Sequence, residues 1–154
     1  MSSVLPKLNF PPIKLRATER DGQFLVWNEL RRCNIVLTPE EWVRRHVVGF
    51  LLSSCQIGGE RIIEEYPILL NGQNQRADIV VVDNSGLPLM LIECKAPEVK
   101  ISQQTFDQAI RYNSVASARY IVLTNGLKHY SYVLTGAGYS PLSHFPLSHC
   151  PQEP

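Results

Sequence analysis

Long apolar runs are missing from this sequence. Its most continuous stretches, such as Leu87 to Ile92 with Pro88 inside it, fall far short of the roughly 20 residues a membrane helix needs. Met1 to Asn9 has no basic start followed by an apolar core, so no signal peptide is visible. The four cysteines, Cys33, Cys55, Cys94 and Cys150, form no Cys-x-x-Cys pair. They read as reduced thiols of a cytoplasmic protein rather than as a disulfide framework. An excess of one charge is missing too: 15 Lys and Arg stand against 14 Asp and Glu, a formal charge of +1. A histone-like polycation is thereby excluded, and any nucleic-acid contact must rest on a local patch, a partner or a metal ion. There is no Gly-x-x-x-x-Gly-Lys-Ser/Thr loop; Gly136-Ala137-Gly138 is only a fragment. The chain therefore carries no phosphate-binding loop of a motor.

What is present is an ordinary globular composition. Apolar residues make up 44% and charged residues 19% of 154 positions. That excludes a wholly disordered chain and suits one domain. Residues 1–12 read as an irregular N-terminal arm, 13–135 as the domain, and 136–154, rich in Gly, Ser, Pro and His, as a weakly ordered tail. His144, His149 and Cys150 in that tail lack a fourth zinc ligand at sensible spacing.

Inside the domain, Ile13 to Thr18 and Gln23 to Trp27 predict a hairpin turning at Asp21-Gly22. Such a hairpin can cover or extend a sheet edge, which allows a homodimer. Thr38, Pro39 and Glu41 form a helix start with a capping box, and Trp42, Val43, Val47, Phe50 and Leu51 follow helical spacing to about Ser54. Strands follow over Ile62 to Leu70, Arg76 to Asp83 and Pro88 to Lys95, joined by short turns and so antiparallel. Ser102 caps a helix to about Ala116, long enough as a crossover to make Arg119 to Thr124 parallel to the strand before it. His129 to Leu134 is the last strand. The fold class is α/β (α+β mixed): a central mixed sheet with a helix on each face.

Polar residues stand where those strands should be apolar. Asp78 heads the run Ile79 to Val82, and Glu93 and Lys95 end the next strand. Alternation puts Glu93 and Lys95 on one face and Met90, Ile92 and Cys94 on the other. Neighbouring strands can bring Asp78 beside Glu93. Two buried carboxylates raise each other's pKa, a cost that a hard divalent cation removes. Asp78, Glu93 and the backbone carbonyl of Cys94 would supply three of the oxygens that Mg²⁺ (or Mn²⁺) takes, leaving positions for water and a phosphate oxygen. Lys95 would orient the water or stabilise the transition state. If the carboxylates repel, Asp78→Asn should raise stability in metal-free buffer. Gln108 and Tyr112, spaced i and i+4, share a helix face, with Arg111 beside them. Gln108 is a candidate at the catalytic centre, while Tyr112, Arg111 and Arg76 are candidates for DNA phosphates. The plainer reading stands alongside: a solvated ion pair at a strand end, a turn-forming Asp, and the polar face of an amphipathic helix.

Thr38-Pro39-Glu40-Glu41-Trp42-Val43-Arg44, Tyr66-Pro67, Arg76-Ala77-Asp78-Ile79-Val80-Val81, Ile92-Glu93-Cys94-Lys95-Ala96-Pro97, Phe106-Asp107-Gln108 to Arg111-Tyr112-Asn113, and Thr124-Asn125-Gly126 together resemble the bacterial proteins like the N-terminal domain of the type I restriction enzyme R subunit, within the PD-(D/E)xK nuclease superfamily. The resemblance spans about Ile13 to Val133. It implies a restriction-endonuclease-like core, with Asp78, Glu93 and Lys95 as the catalytic set of a metal-dependent DNA endonuclease. It also implies that Gln108 and Tyr112 form the Q-x-x-x-Y motif of RecB-like members. A Glu from the first helix often stands near the metal in this family, which makes Glu40 and Glu41 candidates, Glu41 being also the capping residue. Ala77 replaces the Pro of the motif name. The missing motor loop implies a separate motor or specificity subunit, or else a catalytically silent module that binds nucleic acid or a partner protein.

Overall fold

A computed structural model describes residues 5–147. It contains two sheets. The smaller is antiparallel, in the order β1 (Ala17–Arg20), β2 (Gln23–Asn28), β3 (Cys33–Val36). Asp21 and Gly22 both take positive φ, 52° and 78°, as a two-residue hairpin turn of the expected kind requires. The third strand is an addition to the expected hairpin. Asn28 makes it possible: its Oδ1 accepts the N–H groups of Leu30 (3.0 Å) and Arg31 (3.1 Å), and that Asx turn sends the chain back along β2.

The larger sheet has six strands in sequence order, β4 (Ile62–Leu70), β5 (Gln73–Val82), β6 (Pro88–Cys94), β7 (Tyr120–Thr124), β8 (His129–Thr135) and β9 (Gly138–Leu142). Only the β6–β7 pair is parallel, with Cys94 opposite Thr124. The crossover helix α2 (Gln103–Ala116) makes it so, as its length requires. Helix α1 (Pro39–Gly49) runs on into a π-helical turn, Phe50–Ser54. One helix covers each face. Val43, Val47 and Leu51 pack with Ile79, Val81, Met90 and Ile92 on the α1 side. Ala109, Tyr112 and Ala116 pack with Val80, Leu91, Ile121 and Leu123 on the α2 side. The alternation Val80–Val81 and Leu91–Ile92 between those clusters is the period-2 pattern of a sheet buried on both faces.

Three expectations need correction. The segment after Gly136 was expected as a weakly ordered tail, but Gly138–Leu142 forms the edge strand β9 on β8. Phe145 and Leu147 then enter the α1-side core, the Phe145 ring lying 5.2 Å from that of Phe50. Gly, Ser and Pro dominate its composition, yet the edge position tolerates Pro141 because it leaves one side of the strand unpaired. Cysteine chemistry also differs: Cys33 and Cys94 are free, whereas Cys55 is disulfide-bonded. Spacing along a chain does not report proximity in space. Finally, the capping box at α1 is half formed. Thr38 Oγ1 accepts the Glu41 N–H at 3.1 Å, but the Thr38 N–H goes to the Val36 carbonyl and the Glu41 carboxylate turns to arginine. The zinc question raised by His149 and Cys150 lies outside the described residues.

The irregular arm is tied to the body. Leu8 is buried, the Asn9 N–H donates to the Gly126 carbonyl (2.8 Å), and Trp42 Nε1 donates to the Pro6 carbonyl (2.8 Å).

Because Phe145 fills core, Phe145→Ala should cost about 3 kcal/mol. Its urea midpoint should fall clearly below wild type; an unchanged midpoint would mean the segment after β9 contributes no packing.

Candidate active site

The strand ends bring Asp78 and Glu93 together. The Asp78 N–H donates to Glu93 Oε1 (3.1 Å), and the Cys94 N–H donates to Asp78 Oδ2 (2.7 Å). Each strand thus presents a carboxylate to the other strand's backbone. The β5–β6 ladder begins at Ile79–Ile92, so these two contacts close the sheet where its regular pairing stops. Ala77 packs on the α2 side and Ile79 on the α1 side. Alternation therefore slips at Asp78, which frees its side chain from a simple facing rule. Opposite it on β4, Glu65 has φ +51°, in the left-handed region that L residues rarely adopt.

Arg44 is the hub of the site. Only 9% of its side chain is exposed, and its guanidinium meets Asp78 Oδ1 at 3.0 Å, Glu65 at 3.4 Å, Glu41 at 3.6 Å and Glu40 at 4.0 Å. Glu93 is 5% exposed. Burial first, then the charge of Asp78, pushes its carboxyl up to about 9. Asp78 therefore has a buried cation at hand, while Glu93 carries the uncompensated cost. The Asp78 charge does raise Glu93 as expected, but Asp78→Asn would also take the nearest anion from Arg44.

Lys95 stands past the end of β6, where its charge favours ionisation of both Glu93 and Glu40. Among the described residues it makes no ion pair within 4.0 Å. Its backbone N–H is fixed by the Thr124 carbonyl at 2.9 Å. Gln108 and Tyr112 meet as expected: Gln108 Nε2 donates to Tyr112 Oη (3.0 Å), which donates to Gln75 Oε1 (3.5 Å). Burial and then the Glu93 charge raise the Tyr112 pKa, which puts α2 on the Glu93 side of the site. Arg111 is exposed, and Arg76 is exposed and paired with Glu65 at 3.0 Å.

The first helix supplies two acids with different surroundings. Glu41 is held by Arg45 Nε (2.9 Å) and Arg44. Glu40 is partly exposed, and its pKa is raised by burial and by Asp78. Of the two candidates, Glu40 is the one whose charge is coupled to Asp78 and Lys95 and whose arginine contact is the looser, Arg44 at 4.0 Å against Arg45 at 2.9 Å on Glu41. A cavity of about 370 Å³ opens here, lined by Thr38, Glu40, Glu41, Arg44, Ala96 and Glu98. Sequence reasoning missed Arg44 and Glu65. The spacing of Glu40 and Glu41 to Arg44 at i+4 and i+3 was the available sign.

The acids here carry the oxygen ligands a hard cation takes: Asp78 and Glu93, with Glu40 coupled to Asp78 by charge. No group of three or more His, Cys, Asp or Glu is clustered tightly enough to hold a metal among the described residues. One Asp78 oxygen faces Arg44 and the other faces the Cys94 N–H. A carboxylate offers about four lone-pair positions, so an ion would share Asp78 with these donors or displace Arg44.

The sign of the pH dependence follows. Below 4.5, the ordinary value for a Glu, Glu93 is neutral folded or unfolded. Between there and about 9 the unfolded chain ionises Glu93 while the folded protein resists. Stability from this group is thus lost as pH rises. In EDTA at pH 8, Glu93→Gln should melt higher than wild type, by on the order of a few kcal/mol, with the gap closing toward pH 5. Asp78→Asn at pH 5 should melt lower, by about 1–3 kcal/mol, because Arg44 loses its nearest partner. A Glu93→Gln melting temperature equal to wild type at both pH values would contradict the excess buried charge.

No curated protein matches the sequence significantly. Among solved structures, the chain is similar to a candidate nuclease of the DUF820 family from Anabaena variabilis, with 10% identity and a TM-score of 0.47, covering 81% of this chain and 75% of that one. Residues 39–146 match the family described as type I restriction enzyme R protein N terminus. These residues hold α1, the six-stranded sheet, α2 and every charged site residue above, and the chain belongs to that family.

Proposed function

We propose that this chain hydrolyses phosphodiester bonds of DNA with a divalent metal held by Asp78 and Glu93. The reading rests on one observation: two carboxylates clasp each other's strand backbone at an open sheet end (3.1 and 2.7 Å), with Lys95 one alternation step beyond Glu93. Membership of a restriction-enzyme family supports it. Mg²⁺ or Mn²⁺ bound there would neutralise phosphate charge and lower the pKa of a water. Asp78 and Glu93 hold the oxygens on which that binding depends, with Glu40 and the Cys94 carbonyl as further donors. Lys95 orients the attacking water and meets negative charge developing on the phosphorus oxygens. Water adds to phosphorus, the bond to the leaving sugar oxygen breaks, and no covalent enzyme intermediate forms. Gln108 and Tyr112 fix the α2 side, and Arg111 contacts backbone phosphates outside the cleft. A separate motor or specificity subunit completes the assembly, in the cytoplasm. Among the described residues no helix is long and apolar enough to cross a membrane.

One observation favours a second reading. Arg44 already balances Asp78 at 3.0 Å, so the site has a cation without metal. A module that binds nucleic acid or a protein without cutting could keep this arrangement for stability.

Cleavage of plasmid and single-stranded DNA in Mg²⁺ and in Mn²⁺ separates the two. Wild type should cut, and Asp78→Ala and Lys95→Ala should each lose at least ~100-fold in rate. Activity that survives both substitutions would end the catalytic assignment. Absence of wild-type cleavage, with or without partner subunits, would favour the binding module.

A further inference from the structure

Three arginines from three separate segments converge on one carboxylate. Glu65 Oε2 lies 3.6 Å from Arg31, which follows β2, and 3.0 Å from Arg76 on β5; Glu65 Oε1 lies 3.4 Å from Arg44 on α1. Arg31 and Arg76 have no other ion pair among the described residues, so two solvent-accessible guanidinium groups share one negative charge. Arg76 is 70% exposed and Arg31 39%, while Glu65 itself is 30% exposed. Glu65 reaches them from a backbone position with φ +51° inside a strand. Residues held in such sparsely populated backbone conformations cluster at active sites and ligand clamps. Arg44 bonds Asp78 with the other arm of the same guanidinium. The arginine cluster therefore adjoins the carboxylate proposed to hold metal.

A guanidinium fork matches a carboxylate and a phosphate by the same planar, two-oxygen geometry. We propose that Arg31, Arg44 and Arg76 form a docking site for a backbone phosphate of nucleic acid, and that Glu65 is an internal stand-in which the phosphate displaces. The proposal rests on the nuclease reading for its placement beside Asp78 but not for its chemistry. When the phosphate arrives, Arg31 and Arg76 exchange one anion for another and stay paired. Glu65 turns to solvent, and Arg44 is left to bridge phosphate and Asp78. Glu65 thus sets a threshold against weak anions while keeping the arginines ordered, which lowers the entropy cost of binding.

The test is binding of a labelled single-stranded oligonucleotide and of its duplex, read by fluorescence anisotropy in EDTA so that no cutting occurs. Glu65→Gln should bind about three- to tenfold more tightly than wild type at low salt. Arg31→Gln and Arg76→Gln, both at exposed positions, should each weaken binding and lower the slope of log affinity against log salt by about 1. Inorganic phosphate should compete only at far higher concentration than the oligonucleotide. Unchanged or weaker binding by a folded Glu65→Gln protein would overturn the stand-in role. Unchanged binding by both arginine variants, or binding of inorganic phosphate with no oligonucleotide binding, would overturn the site. Cleavage takes no part in these readouts, so failure of the nuclease reading and failure of this inference are separate results.

Discussion

Everything at this sheet end follows from two carboxylates placed where two strands stop pairing. Asp78 and Glu93 each take a backbone N–H from the opposite strand, at 2.7 and 3.1 Å. Those bonds satisfy amides that would otherwise be orphaned at the end of the ladder. They also force negative charge into a site where Glu93 is 5% exposed. Buried like charges must be neutralised, protonated or separated. Arg44 takes the first route for Asp78, and burial pushes Glu93 toward the second. A divalent cation would replace the proton, and the proposed chemistry depends on that substitution.

The rest of the fold serves to hold α1 over this point. Arg45, next to the hub arginine, is buried and ion-paired to Glu41 and Glu64, and Asn28 Nδ2 donates to Glu64 Oε2 at 2.9 Å. One chain of polar contacts thus ties the three-stranded sheet, β4 and α1 together. Buried ion pairs contribute little net stability, because desolvation offsets attraction, but breaking one leaves an isolated charge. Their role here is to fix the rotation of α1, so that Arg44 and Glu40 face the carboxylates and Val43 and Val47 face the core. On the other face, the crossover through α2 makes β7 parallel to β6, and the Thr124 carbonyl then holds the Lys95 backbone.

Most of the central architecture was legible in the sequence because local signals agreed. Thr38-Pro39 and Ser102 mark helix starts that the structure places at the same residues. Asn71-Gly72 gives the β4–β5 turn, with φ values of 50° and 76°. The run Ile79 to Val82 reads as a strand buried on both faces, as it is. The misses share a cause. β3 and β9 are hairpin partners of the strands just before them, but their four or five polar or mixed residues carry no period of their own, and nothing local marks Phe145 as core. At the site, Asp78, Glu93, Lys95, Gln108 and Tyr112 stood out as candidates because acids inside a hydrophobic strand, and polar residues at i and i+4, are locally anomalous. Arg44 and Glu65 were not found. An arginine on a helix and a glutamate on a strand are unremarkable until the sheet brings residues 65 and 78 opposite one another. Weighing Glu40 against Glu41 likewise needed the structure: each has an arginine at i+4, and only the distances show Glu41 held at 2.9 Å and Glu40 at 4.0 Å.

The most direct test of the central claim is anomalous diffraction from crystals grown with Mn²⁺. Density for one ion at ~2.0–2.2 Å from carboxylate oxygens of both Asp78 and Glu93, with the Arg44 guanidinium shared or moved away from Asp78, is the expected result. Arg44 still paired to Asp78 and no anomalous peak between residues 78 and 93 at saturating Mn²⁺ would contradict it.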